Sequence, residues 1–87
     1  MAAPMYYLAL DYEYGTGVEQ NDAEAKKWYR KAADEGYTRA QRCIGRYYAD
    51  EGKYKEAIRW YEKAAEQGDG VSMNRIALLY SNGKGVR

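Results

Sequence analysis

Apolar and small residues recur with a helical period along the chain. From Ala25 the positions i, i+3, i+4, i+7 and i+8 hold Ala, Trp, Tyr, Ala and Ala, which places one apolar stripe on one face of a helix. Leu8, Ala9 and Tyr12 show the i, i+1, i+4 spacing of a second kind of helix. The pattern predicts five helices, over residues 4–14, 22–35, 39–51, 53–67 and 70–81.

The two kinds of helix alternate because the chain repeats itself. The phrase "AKKWYRKAADEGY" from Ala25 matches "AIRWYEKAAEQGD" from Ala57, 32 positions later. A second phrase reads "LALDY" at Leu8, "IGRYY" at Ile44 and "IALLY" at Ile76. If the second phrase is A and the first is B, the order is A-B-A-B-A, which predicts an all-α solenoid of antiparallel helix pairs. The predicted units of this single domain are residues 4–37, 38–69 and 70–87, the last a half repeat.

Positions that recur in both phrases are predicted to form the repeat core. Small residues at Ala9, Gly45 and Ala77 would let helices approach closely, while two tryptophans fill the space between layers. Truncating Trp28 or Trp60 to alanine is expected to cost about 3–5 kcal/mol. The predicted core comprises Leu8, Tyr12, Trp28, Tyr29, Ile44, Tyr48, Trp60, Tyr61, Ile76 and Tyr80.

The helix ends carry their own signals. Asn21 with Glu24, and Thr38 with Gln41, have the spacing of capping boxes, in which a side chain accepts from a free backbone N–H. Glycines stand where helices are predicted to end in a left-handed backbone, at Gly15, Gly36, Gly68 and Gly83.

Paired glycines in "YGTGV" and "NGKGV" raise the alternative of a phosphate-binding loop. Such a loop normally follows a strand and precedes a helix N-terminus, whereas these loops follow predicted helices. The pattern therefore favours helix termination, with Val18 and Val86 packing back as anchors of the loop. A nucleotide or small-molecule site at these glycines remains a third, lower-ranked hypothesis.

Composition limits the chemistry. The 14 Lys and Arg nearly balance the 13 Asp and Glu, so nothing predicts binding to nucleic acid. Histidine is absent and Cys43 is the one cysteine, so the usual general-base and zinc-binding sets cannot form. No enzyme activity, cofactor or metal is predicted, and no apolar run approaches the roughly 20 residues of a membrane span. The unpaired cysteine and the lack of a secretory signal predict a cytoplasmic location.

The repeated phrases resemble a known family. "YGTGVEQNDAEAKKWYRKAADEGYTRAQ" is similar to the Sel1-like repeat, a relative of the tetratricopeptide repeat, and the resemblance covers nearly the whole chain. It implies an α-solenoid that acts as a protein-binding scaffold or adaptor rather than a catalyst. The second unit departs from the pattern, since "YYADEGKYKEAIRWYEKAAEQGD" has a connector four residues shorter. That shorter connector is expected to change the local angle between helices.

The A helices of tetratricopeptide-like solenoids line a concave groove, which suggests a candidate site. If Ile44 and its equivalents face the core, residues two before and two after them turn towards the groove. Three arginines at i, i+3 and i+7 form one basic stripe there, and arginine binds carboxylates bidentately. The alternative is a solvated face paired with the chain's own acids. The predicted partner-binding residues are Arg39, Arg42, Arg46, Tyr6, Tyr14, Asn74 and Asn82.

Cys43 lies beside that stripe and is expected to be a small, partly buried hydrophobe.

The ligand predicted for the groove is a protein or peptide, with an acidic one favoured by the arginines. A structural role is the alternative, because the last A helix has no B partner to cover its apolar residues. The chain is then expected to be a fragment of a longer array, to end in a cap with an apolar outer face, or to self-associate through the end formed by Met73, Ile76 and Leu79.

Overall fold

A computed structural model describes residues 1–84, and that range contains five α-helices. Every helix end lies within two residues of its predicted position, so the periodicity located all five elements. The helices are α1 Ala2–Tyr14, α2 Asp22–Asp34, α3 Thr38–Asp50, α4 Tyr54–Ala65 and α5 Gly70–Ser81.

Each helix packs mainly against its neighbours in the chain. Helices α1 and α2 form one antiparallel pair, α3 and α4 form a second, and α5 is the A helix of a third unit. The stack measures 42 × 24 × 17 Å, which is elongated in the direction of the repeats. The predicted α-solenoid is confirmed. Among residues 1–84, no helix combines the length and the apolar character needed to cross a membrane.

The two A-to-B connectors differ as the sequence indicates. The first runs from Gly15 to Asn21, seven residues, and the second from Glu51 to Lys53, three residues. Gly15 ends α1 with φ 72°, and its N–H donates to the Asp11 carbonyl. A left-handed backbone favours glycine, because it lacks a Cβ. Both the helix ending and the shorter second connector agree with the prediction.

Hydrogen bonds rather than apolar packing close the first connector. Gln20 donates its side-chain amide to the Glu13 carbonyl at 2.8 Å, and the Asn21 N–H donates to the Tyr12 carbonyl at 2.9 Å. Val18 is 37% exposed, so its predicted role as a loop anchor is wrong. Val86 lies outside the described residues.

The helix starts only partly match the predicted caps. Asn21 caps α2 by accepting from the Glu24 N–H at 3.1 Å, as predicted. Asp69 caps α5 in the same way, accepting from the Ser72 N–H at 3.1 Å, and this cap was not predicted. The predicted cap at Thr38 is wrong, because α3 already begins at that residue and Tyr37 is its N-cap.

Thr38 and Gln41 instead join α3 to the end of α4. Thr38 donates to the Gln67 side-chain oxygen at 2.6 Å, and Gln67 donates to the Gln41 side-chain oxygen at 2.9 Å. Gln41 is 5% exposed, and its amide also donates to the Ala33 carbonyl at 3.4 Å. Gln67, which is 29 positions from Thr38 and 26 from Gln41, therefore bonds the two side chains that a local capping box would have used.

The core is built from a few large side chains among many alanines. Tyr29, Ile44 and Tyr61 are buried as predicted, and the other predicted core residues of the first two units lie half-buried at the edges of the layers. Tyr80 is 46% exposed, so its predicted place in the core is wrong. In the described chain no B helix covers that face of α5, whereas α2 and α4 cover the equivalent faces of α1 and α3.

Candidate partner-binding groove

Helices α1, α3 and α5 line one groove with a volume of about 240 Å³. The buried rings of Tyr29 and Tyr61 form its floor, since they come from the B helices behind. Aromatic, aliphatic and charged side chains share its walls. The wall residues are Tyr6, Leu10, Glu13 and Tyr14 of α1, Arg42, Cys43 and Arg46 of α3, and Val71 and Arg75 of α5.

The structure brings together four of the seven predicted site residues, namely Tyr6, Tyr14, Arg42 and Arg46. The remaining three do not line this groove. Arg39 borders a depression at the turn between α2 and α3, Asn82 borders one at the end of α5, and Asn74 is exposed outside the groove.

The asparagines were misplaced because one register was applied to all three A helices. Helix α5 turns Val71 and Arg75, which are four residues apart, towards the groove. Asn74, which precedes Arg75, is exposed and does not line the groove. Arg75 occupies the repeat position of Cys43, which also lines the groove.

Glu13 is the centre of the first charged cluster in the groove, and sequence reasoning missed it. Tyr29 donates its hydroxyl to Glu13 Oε1 at 2.5 Å, and Arg46 Nη2 donates to Glu13 Oε2 at 2.9 Å. One carboxylate therefore joins α1 to both α2 and α3. The sequence did carry a signal, because an acid in the first unit and an arginine in the second both replace uncharged residues at the equivalent positions of the other units.

Burial and the Glu13 carboxylate fix the protonation states of this cluster. Burial, and then the hydrogen bond to Glu13, raise the pKa of Tyr29 far above its usual range, so the phenol stays neutral. Burial would lower the pKa of Arg46, but the charge and hydrogen bond of Glu13 outweigh it and raise the pKa. The cluster is a neutral donor and a cation around one carboxylate.

A second carboxylate holds Arg42. Arg42 Nε lies 3.6 Å from Asp69 Oδ2, and the Asp69 side chain is only 14% exposed. The same oxygen accepts from the Ser72 hydroxyl at 2.5 Å and from its N–H. Arg42 therefore connects α3 to the capped start of α5. The alternative considered for the arginine stripe, pairing with the chain's own acids, holds for Arg42 and Arg46.

Arg75 differs from these two arginines. Its side chain is exposed, and within residues 1–84 it forms no ion pair. Cys43, which is half-buried, also lines the groove, and burial raises the pKa of its thiol, which favours the neutral form. The groove thus combines neutral aromatic and thiol groups with guanidinium donors, which suits the binding of side chains.

Stacked antiparallel helix pairs with a side-chain-lined concave face define the class of helical repeat proteins. The chain belongs to the Sel1 repeat family, whose family model matches residues 5–37, 45–69 and 70–87. Sel1 repeats generally mediate protein interactions as scaffolds, and the family is typically non-catalytic.

Solved structures similar to this chain include two repeat proteins. A Sel1 repeat protein from Oxalobacter formigenes has a TM-score of 0.90 and 44% identity, covering 100% of this chain and 37% of that one. A protective antigen present in uropathogenic Escherichia coli strains, displaying an SLR fold, has a TM-score of 0.92 and 38% identity, covering 99% of this chain and 19% of that one. The chain thus spans less than two fifths of either protein. No curated protein matched the chain.

Proposed function

We propose that this domain binds another protein by holding a peptide or loop of that partner in the groove between α1, α3 and α5. The observation that carries the proposal is the mixture of half-buried and exposed tyrosine, leucine and arginine side chains in one groove lined by three helices. Large rigid rings supply contact area at a small entropic cost, and guanidinium groups supply directional hydrogen bonds.

The α1 wall is the aromatic part of this surface. The Tyr6 ring lies 5.7 Å from Tyr29 and 5.1 Å from Tyr37, so neighbouring rings hold it in place. Tyr14 is 67% exposed and extends the wall towards solvent. A held ring beside an exposed one favours binding of an apolar or aromatic side chain of the partner at this end.

The α3 wall keeps hydrogen-bonding capacity despite its internal ion pairs. A guanidinium has five N–H donors, and each of Arg42 and Arg46 uses only some of them on its carboxylate. An uncharged acceptor of the partner, such as a peptide carbonyl, can share the remaining donors. Arg39, Asn74 and Asn82 then serve as outer contacts for a partner that extends beyond the groove.

Selection from a random-peptide display library would test this function. Peptides selected on the wild type should bind Tyr14→Ala about fivefold more weakly, the loss expected for one exposed contact of about 1 kcal/mol. Tyr7→Ala is the matched control, since Tyr7 is a 52% exposed tyrosine of the same helix outside the groove. Peptides that bind Tyr14→Ala and wild type equally well would count against the proposal.

Self-association through α5 is a second candidate function. Met73 is 51% exposed and Tyr80 46%, while Ile76 and Leu79 of the predicted contact end are half-buried. A second copy could cover this face as α2 and α4 cover α1 and α3. Sedimentation equilibrium over a wide concentration range would then show dimers for the wild type and fewer for Met73→Lys. A strict monomer throughout would exclude this candidate.

A further inference from the structure

We infer that Arg75 is the residue of the groove that binds a carboxylate, so that the ligand is a peptide segment with an acidic side chain at the α5 end. This inference rests on the proposed function and narrows its ligand. It also moves the acid-binding role away from the arginines on α3.

Arg42 and Arg46 are poor places for a second carboxylate. Arg46 Nη2 lies 2.9 Å from Glu13 and Arg42 Nε lies 3.6 Å from Asp69. A carboxylate arriving at either guanidinium would stand close to a negative charge already present, and like charges at such distances oppose binding. Both arginines mainly connect successive A helices through these ion pairs.

Arg75 has no such competitor among the described residues. It is exposed, it lines the groove, and it also borders the adjoining depression formed by Leu78, Leu79 and Lys84. Lys84 places a second positive charge near this end. A guanidinium in that position can form the two parallel hydrogen bonds that arginine makes with a carboxylate.

The charge balance of the groove leads to the same residue. Three arginines face two carboxylates, Glu13 and the Asp69 partner of Arg42, which leaves one uncompensated positive charge. Because the other two arginines are paired, that charge resides on Arg75. The two ends of the groove therefore differ: the α1 end is aromatic and the α5 end is cationic. The ligand would lie with its acidic residue towards α5.

The test compares Arg75→Gln with Arg59→Gln, using peptides selected on the wild type from a random library. Arg59 is an exposed arginine of α4 outside the groove, and within residues 1–84 it forms no ion pair, so the two changes are matched in charge. Selected peptides should be rich in Asp and Glu. Arg75→Gln should weaken their binding about fivefold, whereas Arg59→Gln should leave it unchanged.

A second arm replaces the acidic residue of the peptide by its amide. That change should weaken binding to the wild type about fivefold but have no further effect on Arg75→Gln, since both changes remove one interaction. Peptides that depend on Tyr14 but bind Arg75→Gln as tightly as wild type would overturn this inference and leave the proposed function standing. Finding no Tyr14-dependent peptide would overturn both. Circular dichroism of each variant checks the fold.

Discussion

The ring of Tyr61 lies directly against Gly45, where a Cβ would come within 2.9 Å of two ring carbons. Gly45 is in the middle of α3 and Tyr61 is in α4, so this contact sets how closely the second helix pair can approach. Tyr61 is 2% exposed, and its ring is part of the floor of the groove. The first unit has Ala9 at the equivalent position.

Gly45→Ala is expected to lower the free energy of unfolding by about 1–2 kcal/mol. Overpacking typically costs about 1–3 kcal/mol, and the higher helix propensity of alanine recovers only part of it. Urea unfolding followed by fluorescence of Trp28 and Trp60 measures the change. Gly70→Ala is the control, because a Cβ at that helical glycine meets nothing within 4 Å. Its stability should stay the same or rise, and equal losses for both variants would refute the steric explanation.

Two tyrosines that touch each other should respond in opposite ways to loss of their hydroxyl groups. The Tyr29 hydroxyl donates to Glu13, whereas the Tyr47 hydroxyl is buried with no hydrogen-bond partner among the described residues. Tyr29→Phe should cost about 1–2 kcal/mol, and Tyr47→Phe should be neutral or slightly stabilising. The rings lie 5.9 Å apart, with Tyr29 buried and Tyr47 half-buried. The reverse order in urea unfolding would contradict the assignment of these hydroxyls.

Glu13→Gln should destabilise the fold by about 1–2 kcal/mol, because it leaves Arg46 without its counter-charge and weakens the bond from Tyr29. Thermal unfolding at low and high salt measures the effect. The exposed Glu62 of α4, whose side chain has no hydrogen bond or ion pair within residues 1–84, provides the matched control Glu62→Gln. Equal melting temperatures for the two variants would show that Glu13 does not stabilise the fold.

Stability should fall in alkaline solution. Burial, followed by the Glu13 charge, raises the pKa of Tyr47 from 10.0 to about 12, and burial also raises the pKa of Tyr6, Tyr29 and Tyr61. Between about pH 10 and 12 the unfolded chain loses these protons while the folded chain keeps them. Unfolding is therefore favoured as the pH rises through that window. Urea midpoints measured from pH 8 to 12 should fall, and Tyr47→Phe should fall less steeply.

The helices could be predicted because a helix is specified by its own sequence period and end residues. Asn21, the glycines and the spacing of the two repeated phrases each act over a few positions, and all of them appear in the structure. Thr38 failed as a cap because its hydroxyl found Gln67, which lies 29 positions away. Local patterns locate elements, but they do not show which distant group competes for a side chain.

The sequence predicts a groove lined by the A helices, but it does not identify the carboxylates that pair with the arginines of that groove. A stripe on one helix showed that Arg42 and Arg46 share a face, but their carboxylate partners come from other helices. Glu13 and Arg46 are 33 positions apart in the sequence, and they meet because successive repeats stack. The angle at which α5 presents Arg75 is likewise set by packing against α4, and no period in α5 itself specifies it.

Asp69 has two roles, and they involve two different repeat units. Its carboxylate fixes the first turn of α5 through Ser72 and lies beside Arg42 in the groove. The beginning of the third unit and the surface offered to a partner therefore depend on the same oxygen atom, Asp69 Oδ2. A substitution of Arg42 that changes the groove would also remove a contact of the residue that caps α5. Partner binding and the ordering of α5 on the stack must therefore change together.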